Sequence, residues 1–356
     1  MVGRLSGIGT LGAIVATFAT GFILVAAFST SAILLGTGMV VGVTGAVATW
    51  LRWRAVRDRI PLPGAAVALL PAALLLVVVS PNPCQRETEY HCARVTADPT
   101  RPAGRTLELD TLRHSYVDLA DPLYLEFDYT RAVAAVADAI RPAGRAVTAL
   151  HIGGGGFTMP GYLAASRPGT RSTVLEIDGE VVELGRQRLA VDGIPDLTIR
   201  VGDARTGLTE QPPGAYDLVI GDAFGGMAVP WHLTTREVAE QIRDALAPDG
   251  VYAVNVIDYQ PDRFARAEIA TLRAVFDHVT MIASPATLAG EAGGNHIIVA
   301  SRQPLPQAGI VAGLAQRGSW LLADEAATAR FAGSARVLTD DRAPVDQLVT
   351  TYPGAS

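Results

Sequence analysis

Three acids and one run of glycines close the apolar stretches in the second half of this chain. Gly153, Gly154, Gly155 and Gly156 follow Ala146–Ile152; Glu176, with Ile177 and Asp178, ends Ser172–Ile177; Asp203, followed by Ala204, comes just after Leu197–Val201; Asp222 ends Tyr216–Gly221. Glycines let a backbone approach a ligand closely and leave amide groups exposed at the start of the next helix. An acid at the end of the next strand can accept both ribose hydroxyls of a nucleoside. An acid one strand further on can hold an adenine amino group, and an acid on the fourth strand lies where a reacting group would sit. One such acid is an ordinary loop carboxylate. The series at successive strand ends, in this order, points to a nucleoside-binding domain of methyltransferase type.

Such an array needs strands and helices in strict alternation. From about Thr106 the chain supplies them. Arg105–Asp110 reads as a short strand, and Tyr129–Ile140 as an alanine-rich helix with apolar residues at helical spacing. Helices at Gly179–Ala190, Thr235–Leu246 and Arg263–Phe276 separate the apolar strands. Further strands are expected at Gly250–Ile257, His278–Ala283 and Asn295–Ala300. The pattern predicts an α/β domain, Rossmann-like and doubly wound on a mostly parallel sheet, with its ligand outside the carboxyl ends of the strands.

The first hundred residues differ in kind. Charged residues make up 18% of the 356, against about 25% in ordinary soluble domains. Mean hydropathy is +0.28. The basic residues are all arginine. Residues 1–83 carry five arginines and one aspartate, a net +4, whereas the remainder carries a net −10. An acidic body argues against nucleic-acid binding. Residues 7–49 carry no charge, and about 20 helical residues cross a bilayer core. Two spans, about 8–28 and 32–50, and a third, about 64–80, are expected as a membrane anchor over 1–83. The run is too long for a signal peptide. Arg52, Arg54, Arg57 and Arg59 place the second loop in the cytoplasm, and a third span then puts the rest outside. Cys84 and Cys92, the only cysteines, read as a disulfide there, within a linker over 84–105. No zinc-type spacing is present, so no metal is expected. Residues 106–305 form the expected catalytic domain and 306–356 a C-terminal extension.

These motifs resemble the spermidine synthase (polyamine aminopropyltransferase) family over about Leu107–Ala300. The resemblance rests on Leu107–Asp110, Phe127-Asp128-Tyr129, Ile152–Gly155, Val174–Asp178, Val201–Ala204 and Tyr216–Asp222 with Leu233-Thr234-Thr235 after it. His114-Ser115-Tyr116, Leu338–Asp341 and Ala343-Pro344, together with the apolar head, resemble a bacterial membrane-bound subgroup. The resemblance implies decarboxylated S-adenosylmethionine as co-substrate and a small amine or polyamine as acceptor, in polyamine biosynthesis. It implies that Gly153, Gly155, Gly156, Glu176, Asp203 and Ala204 bind the nucleoside, that Asp222 is the catalytic base, and that Tyr129 lines the amine tunnel. A protonated amine with a pKa near 10 must lose a proton before it attacks, which a nearby carboxylate can accept. A homodimer is left open.

The chain departs from the family's pattern at four positions. Gly156 replaces an acid that binds the cofactor's amino group, Gly225 replaces a second acid after Asp222, Thr130 replaces a glutamine, and His114 stands where another glutamine is expected. The amine half has therefore lost charge. Asp118, Asp121 and Asp128 are candidates to restore it. His151 reads as core, and His232 as a candidate accessory acid or base beside Asp222. The alternatives are a methyltransferase using S-adenosylmethionine and a non-catalytic membrane-bound nucleoside-binding module.

Overall fold

The computed structural model describes residues 2–25, 28, 30–56, 84–223, 229–318 and 320–350. The chain divides into two units, Met1–Ala93 and Arg94–Ser356.

In the first unit, α1 (Val2–Ala19) runs into a wider, π-type turn at Thr20–Leu24, and α2 spans Thr30–Val56. Residues Thr30–Arg52 have a mean hydropathy of 1.8. Those 23 residues extend roughly 34 Å at 1.5 Å each, enough for a bilayer core of about 30 Å. Large apolar side chains such as Phe22, Leu34 and Val40 are more than 60% exposed, with no core covering them among the described residues. Near its carboxyl end, the Arg54 guanidinium stacks 4.5 Å over Trp50, a pairing suited to a membrane–water boundary. The apolar stretch before it, Gly9–Leu24, is shorter. Among the described residues one helix thus meets the spanning length, and the expectation of three spans is not supported. The expected span at 64–80 lies outside the described residues. Cys84 and Cys92 are joined by a disulfide, Cα–Cα 5.1 Å, at the base of a short pairing between β1 (Arg86–Glu87) and β2 (Cys92–Ala97).

The second unit carries a hairpin, β3 (Gly104–Leu109) and β4 (Leu112–Asp118). Its central sheet is built from β5 (Thr148–Ile152), β6 (Arg171–Glu176), β7 (Leu197–Val201), β8 (Tyr216–Gly221), β9 (Leu246–Asp258), β10 (His278–Ala283), β11 (Gly294–Ser301) and β12 (Leu321–Ala323). Their order is β12-β10-β11-β9-β8-β5-β6-β7. Strands β9, β8, β5, β6 and β7 are parallel; β11, β10 and β12 are antiparallel. Chain order runs outward from β5 through β6 to β7, then returns to β8 on the other side of β5. The switch point therefore lies between β5 and β8, where a doubly wound sheet opens its ligand crevice.

Its helices of six residues or more are α3 (Asp128–Ala139), α4 (Thr158–Ser166), α5 (Gly179–Arg188), α6 (Ala204–Thr209), α7 (Arg236–Ala245), α8 (Arg263–Arg273), α9 (Gln307–Arg317) and α10 (Glu325–Ala332). The amphipathic helices α7 and α8 bury the face their periodicity dictates. In α7, Val238, Ala239, Ile242 and Ala245 go inward and the charges between them stay out. The small residues Ala132–Ala137 of α3 are almost wholly buried, packed beside Leu218, Ile297, Ile310 and Leu314. The α3–β5 connection is tied by Arg167, 1% exposed, whose guanidinium donates to the carbonyls of Asp138, Arg141, Pro142 and Arg145. The strands and helices of the pattern are present within a few residues of their expected ends. Strands β1, β2, β4 and β12 and helices α4, α6, α9 and α10 lie outside that pattern.

Candidate active site

The glycine run leaves β5 at the switch point. Gly153 donates to Leu175 O at 2.9 Å, and Asp222 N donates to Ile152 O at 2.9 Å. Gly153 has φ +93°, and a Cβ there would sit 2.4 Å from the carbonyl oxygen of Asp222. Only glycine fits both demands. The loop and the end of β8 are thus locked together by backbone alone.

Glu176, at the end of β6, is buried. Its Oε2 accepts from Gly154 N (2.7 Å) and Gly155 N (3.1 Å), and its Oε1 from Asp178 N (2.9 Å). The expected ribose acid therefore also shapes the glycine loop. Asp178 caps α5 by accepting from Glu180 N and Val181 N. Ile177 and Val201 are 43% and 60% exposed at the ends of β6 and β7, offering apolar surface beside Glu176 and Asp203. Asp203 caps α6 and accepts from Thr206 N; Ala204 is buried behind it.

Gly156 N donates to Ser115 Oγ at 2.9 Å, and Thr158 Oγ1 donates to Tyr116 O at 3.0 Å. A Cβ on Gly156 would stand 2.6 Å from the Cβ of Ser115. The absence of an acid at this position is thus matched by the close approach of β4, and restoring one requires β4 to move.

Asp222 is held by side chains. Asn255 Nδ2 donates to Asp222 Oδ1 at 2.9 Å, and the Tyr129 hydroxyl also bonds the carboxylate. Phe127 stacks on Tyr129, ring centroids 6.0 Å apart. Burial raises the Asp222 pKa above the ordinary carboxylate range, against the two hydrogen bonds that favour its charged form. Burial, then the Asp222 charge and hydrogen bond, push the Tyr129 phenol well above its usual value, so it is a neutral donor. A carboxylate with a raised pKa in a partly enclosed site is a competent proton acceptor near neutral pH.

Other candidates are placed elsewhere. His232 Nε2 lies 2.9 Å from Asp203 Oδ2 and joins the nucleoside side of the site. His151 is buried against Ser172 with its pKa lowered to about 3 by burial, a core residue. His114 lies on β4. Thr130 is buried and donates to Phe127 O, closing the first turn of α3. Asp118 and Asp121 engage Arg101, and Asp128 pairs with Arg131. Gly225 lies outside the described residues. Among the described residues no cluster of metal-ligating side chains occurs. A cleft of about 420 Å³ lined by Thr148, Arg171, Asp196 and Tyr216 sits at the amino ends of β5 to β8, the wrong end of the sheet for these acids.

Two features escaped the sequence. Asn255 is 2% exposed inside an apolar strand, and a lone amide in such a run is the signal that it must find a buried partner. Arg205, next to Ala204, binds Asp340 through both nitrogens and reaches Thr235 Oγ1 and His232 O. Thr235 also donates to Asp340. The Leu338–Asp341 motif thereby ties the C-terminal segment to the wall that carries Asp203 and His232.

A doubly wound α/β domain with a glycine loop and acids at its switch point is the frame of a nucleoside-dependent transferase. A probable spermidine synthase of known crystal structure from Corynebacterium glutamicum ATCC 13032 is 32% identical to this chain. It aligns over 73% of this chain and 97% of its own, with a TM-score of 0.67. The polyamine aminopropyltransferase of Vibrio vulnificus (strain CMCP6) is 30% identical over 162 residues, 44% of this chain and 51% of that protein. A probable polyamine aminopropyl transferase of Bifidobacterium longum (strain NCC 2705) is 28% identical over 130 residues, 36% of this chain and 27% of that protein. The chain spans about half or less of the length of these two relatives. No family model matches it. The chain belongs to the spermidine synthase (polyamine aminopropyltransferase) family.

Proposed function

We propose that this protein is a membrane-anchored aminopropyltransferase that uses decarboxylated S-adenosylmethionine and a small amine. The observation that carries this reading is the Asp222–Tyr129–Asn255 constellation at the switch point, beside the Glu176-braced glycine loop. Glu176 takes the ribose, Asp203 and Ala204 the adenine, and Ile177 and Val201 give its ring an apolar seat. Gly153, Gly155 and Gly156 let the ligand approach the backbone.

The bound nucleoside supplies a sulfonium whose aminopropyl carbon is open to displacement. At that carbon a C–N bond forms as the C–S bond breaks, and methylthioadenosine leaves as a neutral thioether. Asp222 accepts the proton that the amine must lose, and Tyr129 donates to the carboxylate and lines the amine's approach. The tunnel carries less negative charge than the family's pattern, because Gly156 and Gly225 are not acids. This favours a short or less charged amine over a long polyamine.

The exposed apolar surface of α2 supports anchoring through residues 1–83, with a linker over 84–105, the transferase over 106–305 and a C-terminal extension over 306–356. The Cys84–Cys92 disulfide supports a body outside the cytoplasm; an alkaline phosphatase fused at the C-terminus is then active, and an inactive fusion reverses the topology. The function is tested by a product assay with decarboxylated S-adenosylmethionine and a panel of amines, with S-adenosylmethionine in parallel. Aminopropylated amine and methylthioadenosine are expected. Methylated product, or none, overturns the reading.

A further inference from the structure

Strands β8, β9 and β11 lie side by side, and their register sets three polar side chains in a row across one end of the sheet. Gly221 pairs with Val254, so the next residues, Asp222 and Asn255, are neighbours. Asn255 pairs with Ile297 on the antiparallel β11. Asn295 is two residues from Ile297 and therefore on the same face as Asn255, at a diagonal. The contacts follow: Asn295 Nδ2 donates to Asn255 Oδ1 at 2.9 Å, and Asn255 Nδ2 donates to Asp222 Oδ1 at 2.9 Å.

We propose that Asn295 is a positioning residue for the base: by occupying the carbonyl end of the Asn255 amide, it fixes the amino end toward Asp222. The proposal rests on the reading of Asp222 as the base. An amide has one donor end and one acceptor end. With its oxygen claimed by Asn295, Asn255 can meet Asp222 only as a donor. Turned over, it would set a carbonyl against a carboxylate, which disfavours the charged form. Asn255 is 2% exposed, so water has little access to replace the lost partner. The relay therefore holds Asp222 in its proton-accepting state.

Other groups near the relay do not supply this effect. Tyr129, from α3, is the titratable side chain bonded to Asp222 among the described residues, and it remains a neutral donor. On β11, His296 points to the opposite face, where its Nδ1 meets Gly294 O and its Nε2 stands 3.7 Å from Asp262. On β9, Asp258 also faces away from Asn255, and accepts from the amides of Phe264 and Ala265. The β5 side contributes the backbone of Ile152 and Gly153.

The test is a carboxyl titration of the full-length protein in detergent, labelled with ¹³C-carboxyl aspartate. The Asp222 resonance is identified as the one missing in Asp222→Asn. Asn295→Leu, which removes the donor without adding charge, should raise the Asp222 midpoint by about 0.5–1 unit. Asn255→Leu should raise it at least as far. The double variant should go no further than Asn255→Leu alone, because Asn295 acts only through Asn255. Should Asn295→Leu fail to fold, Asn295→Asp keeps the shape; its shift should then be larger with Asn255 present than in the Asn255→Leu background, where only its charge is read. An unchanged midpoint, or a shift that persists in full without Asn255, overturns the relay. The titration needs no turnover. A relay that holds in a protein forming no aminopropylated amine would leave the inference standing and sink the functional reading instead.

Discussion

The two halves of the site hold their carboxylates by different means. Glu176 is gripped by main-chain amides: Gly154, Gly155 and Asp178 donate to it. Asp222 is gripped by side chains, Asn255 and Tyr129, and burial raises its pKa. The first arrangement is a rigid cradle, suited to positioning a nucleoside. The second is a tunable one, in which proton affinity is set by a few polar groups in a partly enclosed space. A transferase needs both, and the difference implies that they fail separately.

The largest effect expected is on the tunable half. Asp222→Asn keeps the shape and removes the proposed proton acceptor, so aminopropyl transfer should fall about 10²–10⁴-fold in single-turnover measurements. Affinity for methylthioadenosine should change little. A parallel loss of binding would show that the halves are not separable.

Next comes the cradle. Glu176→Ala removes the proposed ribose acceptor and frees three backbone amides at once. Each charge-assisted bond counts for about 1.5–3 kcal/mol, so nucleoside affinity should fall at least about tenfold. Equilibrium dialysis with labelled methylthioadenosine reads this, and circular dichroism checks that the sheet persists. Unchanged affinity would remove Glu176 from the site.

The smallest expected effect lies away from both halves and asks whether buried acids in general behave as Asp222 does. Glu268 on α8 is 4% exposed, its Oε2 has no partner among the described residues, and burial pushes its pKa up to about 8. A raised folded-state pKa means that stability is greatest below the unfolded value near 4.3 and is lost as pH rises toward about 8. Glu268→Gln should remove that loss and stabilise the protein at pH 8.5 by roughly 1–3 kcal/mol, with little change at pH 4. Thermal unfolding at the two pH values measures it. Equal effects at both would contradict the assignment.

The same division explains what the sequence made legible. Backbone-held features leave a one-dimensional trace: four glycines after an apolar run, or an acid at a strand end, because only certain residues permit that backbone. Gly153 is the clearest case, since both its φ and its closeness to Asp222 exclude a side chain. Side-chain partnerships across strands leave almost none. Asn255 and Asn295 are 40 residues apart and meet only through the antiparallel insertion of β11 beside β9. His232 is near Asp222 in sequence, but the turn after Pro230 delivers it to Asp203. Ser115 explains Gly156 only once β4 is known to cross the glycine loop. In the apolar head, composition gave the character of the segment but not its number of spans; only Thr30–Arg52 among the described residues has the length.

Calorimetric titration of methylthioadenosine into the wild type, Asp222→Asn and Glu176→Ala, all full length in the same detergent, tests the central claim most directly. The account predicts that the wild type and Asp222→Asn bind with affinities within a few-fold of each other, while Glu176→Ala binds at least about tenfold more weakly. No binding by the wild type, or equal binding by all three proteins, would contradict it.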